Sequence, residues 1–346
     1  IATQIQASLN LTDGPIFRGV WFNFGQEQSS YLLLVIHHLA VDGVSWRILL
    51  EDLATGYQQL INNQKIQLPA KTTSYKDWAN YLIQFSDLRE TTNNIFSNLP
   101  VDYSNGDNTI ASTAQIITSL TVEETQALLK DIPQVYQTQI NDVLLTALAQ
   151  AFTQWTGHSD LLVDLESYGR DTDEFDISRT VGWFTTIIPL YLDLTNLKKL
   201  EDSLKSIKEQ LRRSSLKMNS SFQSNSEVIF NYLGQLDRVQ SSYPILSLVN
   251  ELQGARRSFR QNRCYLLEVN TLVIEDKLQV NWIYSKNIHQ QKTIQNLANN
   301  YITALKTIIT HCQTLETKVY TPSDFSAAKL EQKQLDQFLN KINKRK

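Results

Sequence analysis

Apolar residues follow two different periods along the chain, and these periods predict its helices and strands. Residues 29–38 form a short apolar run rich in strand-forming residues, which predicts a largely buried strand. Residues 44–62 place apolar side chains at three- and four-residue steps, which predicts a helix with one apolar face. That face consists of Trp46, Leu49, Leu50, Leu53, Tyr57, Leu60 and Ile61. A second helix is predicted over 74–84.

The same two periods continue beyond residue 113. Helices are predicted over 121–130, 141–156, 198–213 and 291–312, and strands over 160–167, 185–194, 227–235 and, as a pair around a turn at 275–277, 265–285. Thr121 and Glu124 form a capping-box pattern at the start of the first of these helices. Pro189 cannot donate a ladder hydrogen bond, so its strand is expected at a sheet edge or a bulge.

Residues 98–113 are rich in turn-forming residues and are the best candidate for a linker between two lobes. At 346 residues the chain exceeds the ~250–300 residues at which a single hydrophobic core stops growing. The pattern therefore predicts an α+β protein with two lobes, 1–108 and 109–346, and one mostly buried sheet in each lobe.

Charge and composition narrow the class of protein. The formal net charge is −3, from 32 basic and 35 acidic residues in mixed order, so neither nucleic acid nor a membrane surface is an expected partner. The two cysteines lack the spacing of metal ligands and the density of a disulfide framework. The sequence contains no signal peptide, membrane span, metal motif or nucleotide motif, and a cytoplasmic location is expected.

Two adjacent histidines follow the first predicted strand, in the segment HHLAVDG (37–43). At a strand end, successive side chains point to opposite faces, so we expect one of His37 and His38 to face the core and the other a neighbouring surface or cleft. Gly43 is expected to permit a tight turn that other residues resist. Asp42 can orient a nearby base or anchor the loop through an ion pair.

This segment resembles the His-His-x-x-x-Asp-Gly signature of the condensation-domain superfamily of nonribosomal peptide synthetases. Residues 42–53 look like the epimerization branch more than the branch that forms peptide bonds. Further segments resemble epimerization motifs in the same order: DLESYGRD (164–171), SRTVGWFTTIIPLYLDL (178–194), FNYLGQLD (230–237) and TPSDF (321–325). The resemblance covers nearly the whole chain.

The resemblance implies two chloramphenicol-acetyltransferase-like lobes in a V, with the active site in a tunnel between them. The family usually carries a further segment before the point where this chain starts, and its absence would leave a sheet edge or core face of the first lobe uncovered. Tyr168 stands where the family has a histidine, and Asp171 where it has a glutamate. The Pro-x-x-Gly-x-Gly-Tyr-Gly segment expected before 227 is missing.

The implied activity converts the Cα of an L-aminoacyl or L-peptidyl thioester, held on the phosphopantetheine arm of a carrier protein, into an L/D mixture. Such a reaction needs a base, a proton donor for the opposite face, and groups that stabilise the enolate. By resemblance, His38 and Glu166 are the two proton-handling groups, and burial is expected to raise the pKa of the carboxyl group. Which of them removes the proton from the L-substrate is left open.

The resemblance also assigns supporting roles. Asn231 and Tyr232 are candidates for polarising the thioester carbonyl or relaying a proton, although Tyr232 could instead be an aromatic residue of the core. Arg170 and Asp42 are expected to hold loops in place. No metal or directly bound cofactor is predicted, and the only prosthetic group implied is the phosphopantetheine of the partner.

Two other functions remain open at this point. A condensation domain would use His38 to assist the attack of an amine and would leave Glu166 without an obvious task. A non-catalytic remnant would only dock carrier proteins. The expected partners are a peptidyl carrier protein upstream and a condensation domain downstream.

Overall fold

The described residues of the first lobe form a two-stranded antiparallel sheet and three α-helices. The computed structural model describes residues 1–25, 29–85, 98–170, 172–215, 225–235, 257–315 and 317–343. Within them, the first lobe comprises α1 (Ala2–Ala7), β1 (Phe17–Phe22), β2 (Tyr31–Ile36), α2 (Gly43–Ile61) and α3 (Tyr75–Phe85). Strands β1 and β2 pair along their full length, from Phe17 opposite Ile36 to Phe22 opposite Tyr31.

The second lobe is built on a six-stranded mixed sheet in the order β3-β8-β7-β6-β4-β5. Strand β6 runs parallel to both of its neighbours, β4 and β7, and the other pairs are antiparallel. Its elements are β3 (Thr113–Ser119), α4 (Val122–Gln126), a π-helical turn (Ala127–Asp131), α5 (Ile132–Tyr136), α6 (Ile140–Thr156), β4 (Asp160–Ser167), β5 (Thr186–Asp193), α7 (Leu200–Ser215), β6 (Val228–Gln235), β7 (Leu267–Ile274), β8 (Lys277–Ser285), α8 (Gln291–Gln313) and α9 (Gln332–Asn343).

The two faces of this sheet differ in polarity because strand residues alternate in direction. One row of paired residues crosses five strands and is buried against the inner sides of α6 and α8: Ile116, Trp282, Val269, Phe230 and Leu165. The next row turns to the opposite face and holds polar residues on three neighbouring strands, Asn231, Asn270 and Asn281. The helices therefore cover one face, and polar side chains line the other.

A segment between β4 and β5, residues 172–184, crosses from the second lobe to the first and is called the crossing segment below. Its Ile177 and Phe184 form a buried cluster with Trp78 of α3. Its Arg179 forms ion pairs with two carboxylates of α2. The crossing segment therefore ties the polar face of the large sheet to the helices of the first lobe.

Most of the predicted elements are confirmed. The helices predicted over 44–62, 141–156 and 291–312 match α2, α6 and α8 within about two residues, and the Thr121–Glu124 capping box is present. Strand β5, which contains Pro189, lies at the edge of the sheet as expected. The α+β fold class is confirmed, whereas the division at 108/109 stays a prediction. Strands β1 and β3 were not predicted.

Two expectations for the first lobe are wrong. The strand predicted over 29–38 ends at Ile36, and of the residues in β1 and β2 only Val35 is buried, so the sheet is not mostly buried. The apolar face of α2 is also exposed at Tyr57 and Leu60. The described residues thus leave an apolar surface of this lobe uncovered. Among those residues, no helix has the length and apolar character required to span a bilayer.

Candidate active site

The two histidines lie in a tight turn immediately after β2. His37 begins a one-turn 3₁₀ helix, His38–Ala40, and its Nδ1 accepts a hydrogen bond from the Leu39 backbone N–H (3.2 Å). His38 Nδ1 lies 2.9 Å from the Val41 carbonyl oxygen. Because a carbonyl oxygen can only accept, Nδ1 of His38 carries the proton, and Nε2 of the neutral ring keeps its lone pair. His38 is therefore held in the tautomer that can act as a base at Nε2.

This arrangement corrects the expected geometry of the histidine pair. Both residues lie beyond the end of β2, so strand alternation does not set their directions. The side chain of His37 caps the turn and is only partly buried, while that of His38 is exposed. Their orientations come from the two hydrogen bonds of the turn.

Asp42 and Arg170 form a buried ion pair between the lobes. Asp42 caps α2 by accepting from the Ser45 N–H (2.7 Å), and both its carboxylate oxygens lie 3.0 Å from Arg170 Nη2. Arg170 Nη1 also donates to the carbonyls of Ile177 and Thr180 in the crossing segment. Only 4% of Asp42 is exposed. One guanidinium thus joins the region after β4, the start of α2 and the crossing segment, which supports the predicted loop-holding roles.

Gly43 does not play the conformational role expected of it. It is the first residue of α2, its φ is not positive, and an added Cβ would meet nothing within 4 Å. The glycines that the site requires are two others. Gly169 has φ +59°, and its Cβ would lie 1.7 Å from the Phe184 carbonyl oxygen. A Cβ on Gly182 would lie 2.1 Å from the Tyr75 ring.

Glu166, near the end of β4, faces the same space from the second lobe. Asn231 on the neighbouring strand β6 donates a hydrogen bond from Nδ2 to Glu166 Oε2. Burial raises the pKa of Glu166 above its ordinary value; His38 and the Asn231 hydrogen bond act in the opposite direction, and the Glu268 carboxylate adds to the rise. His38 of the first lobe lies close enough to Glu166 of the second lobe to act on its carboxyl group electrostatically.

Tyr232 is a correction to the predicted site. It follows Asn231 in β6, so its side chain points to the opposite face, where it packs against the hydrophobic core. Its backbone carbonyl instead accepts a hydrogen bond from the Tyr168 hydroxyl at 3.1 Å. The structure therefore favours the alternative of a core aromatic, which the sequence had left open.

Trp183 and Tyr168 border the site. The sequence analysis did not place these two aromatic residues there. The ring centroid of Trp183 lies 6.3 Å from that of His38. Tyr168 lies one residue beyond the end of β4, and its hydroxyl donates to the Tyr232 carbonyl on β6. Its place in the motif, where the family has a histidine, was the signal in the sequence that could have identified Tyr168. Among the described residues, no cluster of side chains could hold a metal ion.

Comparison with known proteins identifies the family. The sequence model of the condensation-domain family matches residues 1–331. The chain belongs to the condensation-domain family. The chondramide synthase of Chondromyces crocatus is 40% identical over 369 residues, which cover 99% of this chain and 9% of that protein. Gramicidin S synthase 1 of Brevibacillus brevis is 34% identical, with 97% of this chain and 34% of that protein covered. The chain thus spans a small part of these relatives.

Two solved structures share the fold. The epimerization domain from the third module of tyrocidine synthetase B has a TM-score of 0.78 and 32% identity, covering 91% of this chain and 76% of that chain. The X-domain from teicoplanin biosynthesis has a TM-score of 0.66 at 16% identity, covering 87% and 74%, a likeness of fold alone. The predicted family and its two-lobed fold are confirmed.

Proposed function

We propose that this chain epimerises the Cα of an aminoacyl or peptidyl thioester carried on the phosphopantetheine arm of a carrier protein. The observation that carries the proposal is that His38 of the first lobe, with Nε2 available as a base, acts electrostatically on Glu166 of the second lobe, a partly buried carboxyl with a raised pKa. A condensation reaction needs one base near the attacking amine, and the Glu166 carboxyl would have no role in it. The 32% identity to an epimerization domain supports the same choice.

The proposed reaction moves one proton off Cα and another onto its opposite face. One of His38 and Glu166 takes the Cα proton, the electron pair of the C–H bond moves into an enolate at the thioester oxygen, and the other group returns a proton from the far side. No net oxidation occurs. The second N–H of the Asn231 amide is assigned to the enolate oxygen, where a preorganised donor stabilises the developing charge.

The raised pKa of Glu166 suits this exchange. A carboxyl group of ordinary pKa would be a weak base and would hold almost no proton near neutral pH. Burial raises the pKa of Glu166, which is the direction that favours proton exchange by a carboxyl group near neutral pH.

The partners are part of the same proposal. The relatives named above are synthases many times or several times longer than this chain. We assign a peptidyl carrier protein upstream as the donor of the thioester and a condensation domain downstream as the acceptor of the product. The phosphopantetheine belongs to the carrier and enters the site as part of the substrate.

Peptide-bond formation is the second candidate because the matching family model is that of the condensation domain. In that case His38 would assist the attack of an acceptor amine on the donor thioester. The product would be a longer peptide on the acceptor carrier, with the configuration at Cα of the donor unchanged.

Exchange of the Cα hydrogen separates the candidates. The chain is mixed in deuterated water with L-aminoacyl carrier proteins that bear aromatic, aliphatic or polar side chains. Deuterium at Cα and the D/L ratio are then followed by mass spectrometry and chiral chromatography. We expect deuterium incorporation together with D-product from at least one of these substrates.

Matched variants assign the exchange to the two residues. Glu166→Gln and His38→Ala should each lower D-product formation by about 10²-fold or more, the range for loss of a general acid or base. Glu331→Gln and His158→Ala, which change exposed residues elsewhere, should leave the rate unchanged. Formation of a dipeptide with an acceptor carrier, without deuterium at Cα, would favour condensation. A folded chain that binds the carrier but does neither would favour the docking role.

A further inference from the structure

Strands β4 and β6 are paired over only a short length beside the site. The two strands are paired in the sheet at two positions, Asp164 with Ile229 and Leu165 with Phe230. Beyond these pairs, two hydrogen bonds link the strand ends. One joins the Asn231 amide to the Glu166 carboxylate, and the other joins the Tyr168 hydroxyl to the backbone carbonyl of Tyr232.

Strand β6 is irregular at the point where Tyr168 contacts it. Its pairing with β7 is regular from Val228 to Tyr232 and then shifts, with one extra residue before Gln235. Gly234 in this bulge has φ +79°, and a Cβ there would lie 3.6 Å from the Tyr168 hydroxyl. A bulge locally interrupts the ladder that would otherwise fix the strand. Tyr168 thus bonds β6 at the last regular pair before the bulge.

We infer that Tyr168 is a positioning residue: its hydroxyl fixes the Tyr232 carbonyl and thereby keeps the Asn231 amide in place on Glu166. The two hydrogen bonds join Glu166 of β4 and Tyr168, just beyond its end, to adjacent residues of β6, so movement at one is transmitted to the other. The inference rests on the proposed function only for its effect on catalysis. The hydrogen bond to Glu166 can be followed without turnover.

The expected consequence is a change in the titration of Glu166. Burial, the His38 imidazole, the Glu268 carboxylate and Arg257 also act on this carboxyl. Tyr168→Phe keeps the ring and alters none of these charged groups. Arg47 of α2 faces Tyr168 and interacts electrostatically with it. What the substitution removes is the hydroxyl group that holds β6.

The test measures the pKa of Glu166 by NMR on protein labelled with ¹³C at the glutamate carboxyl carbons. The Glu166 signal is identified by its absence in Glu166→Gln. Because the Asn231 hydrogen bond favours the ionised form, Tyr168→Phe should raise the Glu166 pKa by about 0.5 unit, roughly half of one hydrogen bond. Tyr191→Phe is the matched control, since its hydroxyl bonds Asp160 at the other end of β4.

A double variant shows whether Tyr168 acts through Asn231. In an Asn231→Ala background, Tyr168→Phe should produce no further shift, because the hydrogen bond that it positions is already gone. An unchanged Glu166 pKa in the single variant, or an equal shift in both backgrounds, would overturn the inference. A shift that follows the expected pattern in a chain that shows no Cα exchange would retain the positioning role and reject the epimerase.

Discussion

At the scale of single residues, the site places two titratable groups under different physical control. The tautomer of His38 is set by a hydrogen bond: Nδ1–H donates to the Val41 carbonyl, which leaves Nε2 as the basic nitrogen. Glu166 is governed by its surroundings, since burial disfavours its charged form. A hydrogen bond therefore fixes the tautomer of His38, whereas burial raises the pKa of Glu166. The burial of Glu166 affects the stability of the protein as well as its chemistry.

Glu166→Gln should change stability in a way that depends on pH. A carboxyl group whose pKa is higher in the folded than in the unfolded chain stabilises the fold below its unfolded pKa, and this contribution is lost as the pH rises through the folded pKa. Glutamine mimics the protonated form at every pH. We expect the Tm to rise by about 1–2 °C near pH 7 and to be unchanged near pH 4, measured by thermal unfolding.

The control for that experiment is Glu331→Gln, an exposed glutamate for which the same substitution removes a solvated charge. Its effect on Tm should be small at both pH values. A lower Tm for Glu166→Gln near pH 7, or an equal rise at both pH values, would mean that burial of the ionised Glu166 carboxylate does not destabilise the fold.

The sequence identified some residues of the site and not others, for a physical reason. Family resemblance carried His38 and Glu166, and strand alternation alone would have separated Asn231 from Tyr232. The Asn231–Glu166 contact joins residues 65 positions apart on parallel strands. Periodicity describes which way a side chain points from its own strand, but not which strand becomes its neighbour. The position of Tyr168 over the β6 bulge is hidden for the same reason.

At the scale of elements, the crossing segment depends on a close approach of backbone to ring. Gly182 N–H donates to the Ser45 hydroxyl (3.0 Å), and the same hydroxyl donates to the Gly182 carbonyl (2.8 Å). Tyr75 of α3 packs against this glycine and donates from its hydroxyl to the Trp183 carbonyl. A side chain at 182 has no room between α2 and α3.

Gly182→Ala should therefore destabilise the protein by about 1–3 kcal/mol, the usual cost of overpacking. Gly43→Ala is the matched control, because its Cβ would be free of contacts and alanine favours a helix. It should be neutral or slightly stabilising. The measurement is urea denaturation of both variants. A large cost for Gly43→Ala would show that the glycine is needed for the fold after all, and no cost for Gly182→Ala would show that Tyr75 can move aside.

The elements themselves were predicted unevenly. Long amphipathic helices such as α6 and α8 have enough apolar repeats to stand out from the sequence. Strands β1 and β3 are short, and β1 contains Gly19, so neither gives a strong alternating pattern. The parallel pairing of β6 with both β4 and β7 is a non-local choice that no local pattern specifies.

At the scale of the whole molecule, the two lobes treat the same helical pattern differently. Both α2 and α8 carry apolar residues at three- and four-residue steps. In α8 they are buried against the large sheet, whereas in α2 the residues toward its C-terminal end, such as Tyr57 and Leu60, are exposed among the described residues. The period predicts that a face is apolar, and only the fold decides whether another element covers it.

Leucine-to-alanine substitutions on the two helices test this difference. Leu305 of α8 is fully buried, so Leu305→Ala should cost about 2–5 kcal/mol through lost burial and a cavity. Leu60 of α2 is 57% exposed, so Leu60→Ala should change the free energy of unfolding by less than about 0.5 kcal/mol. Urea denaturation at two protein concentrations measures both. A cost above about 2 kcal/mol for Leu60→Ala that grew with protein concentration would show that a second copy covers this face in solution.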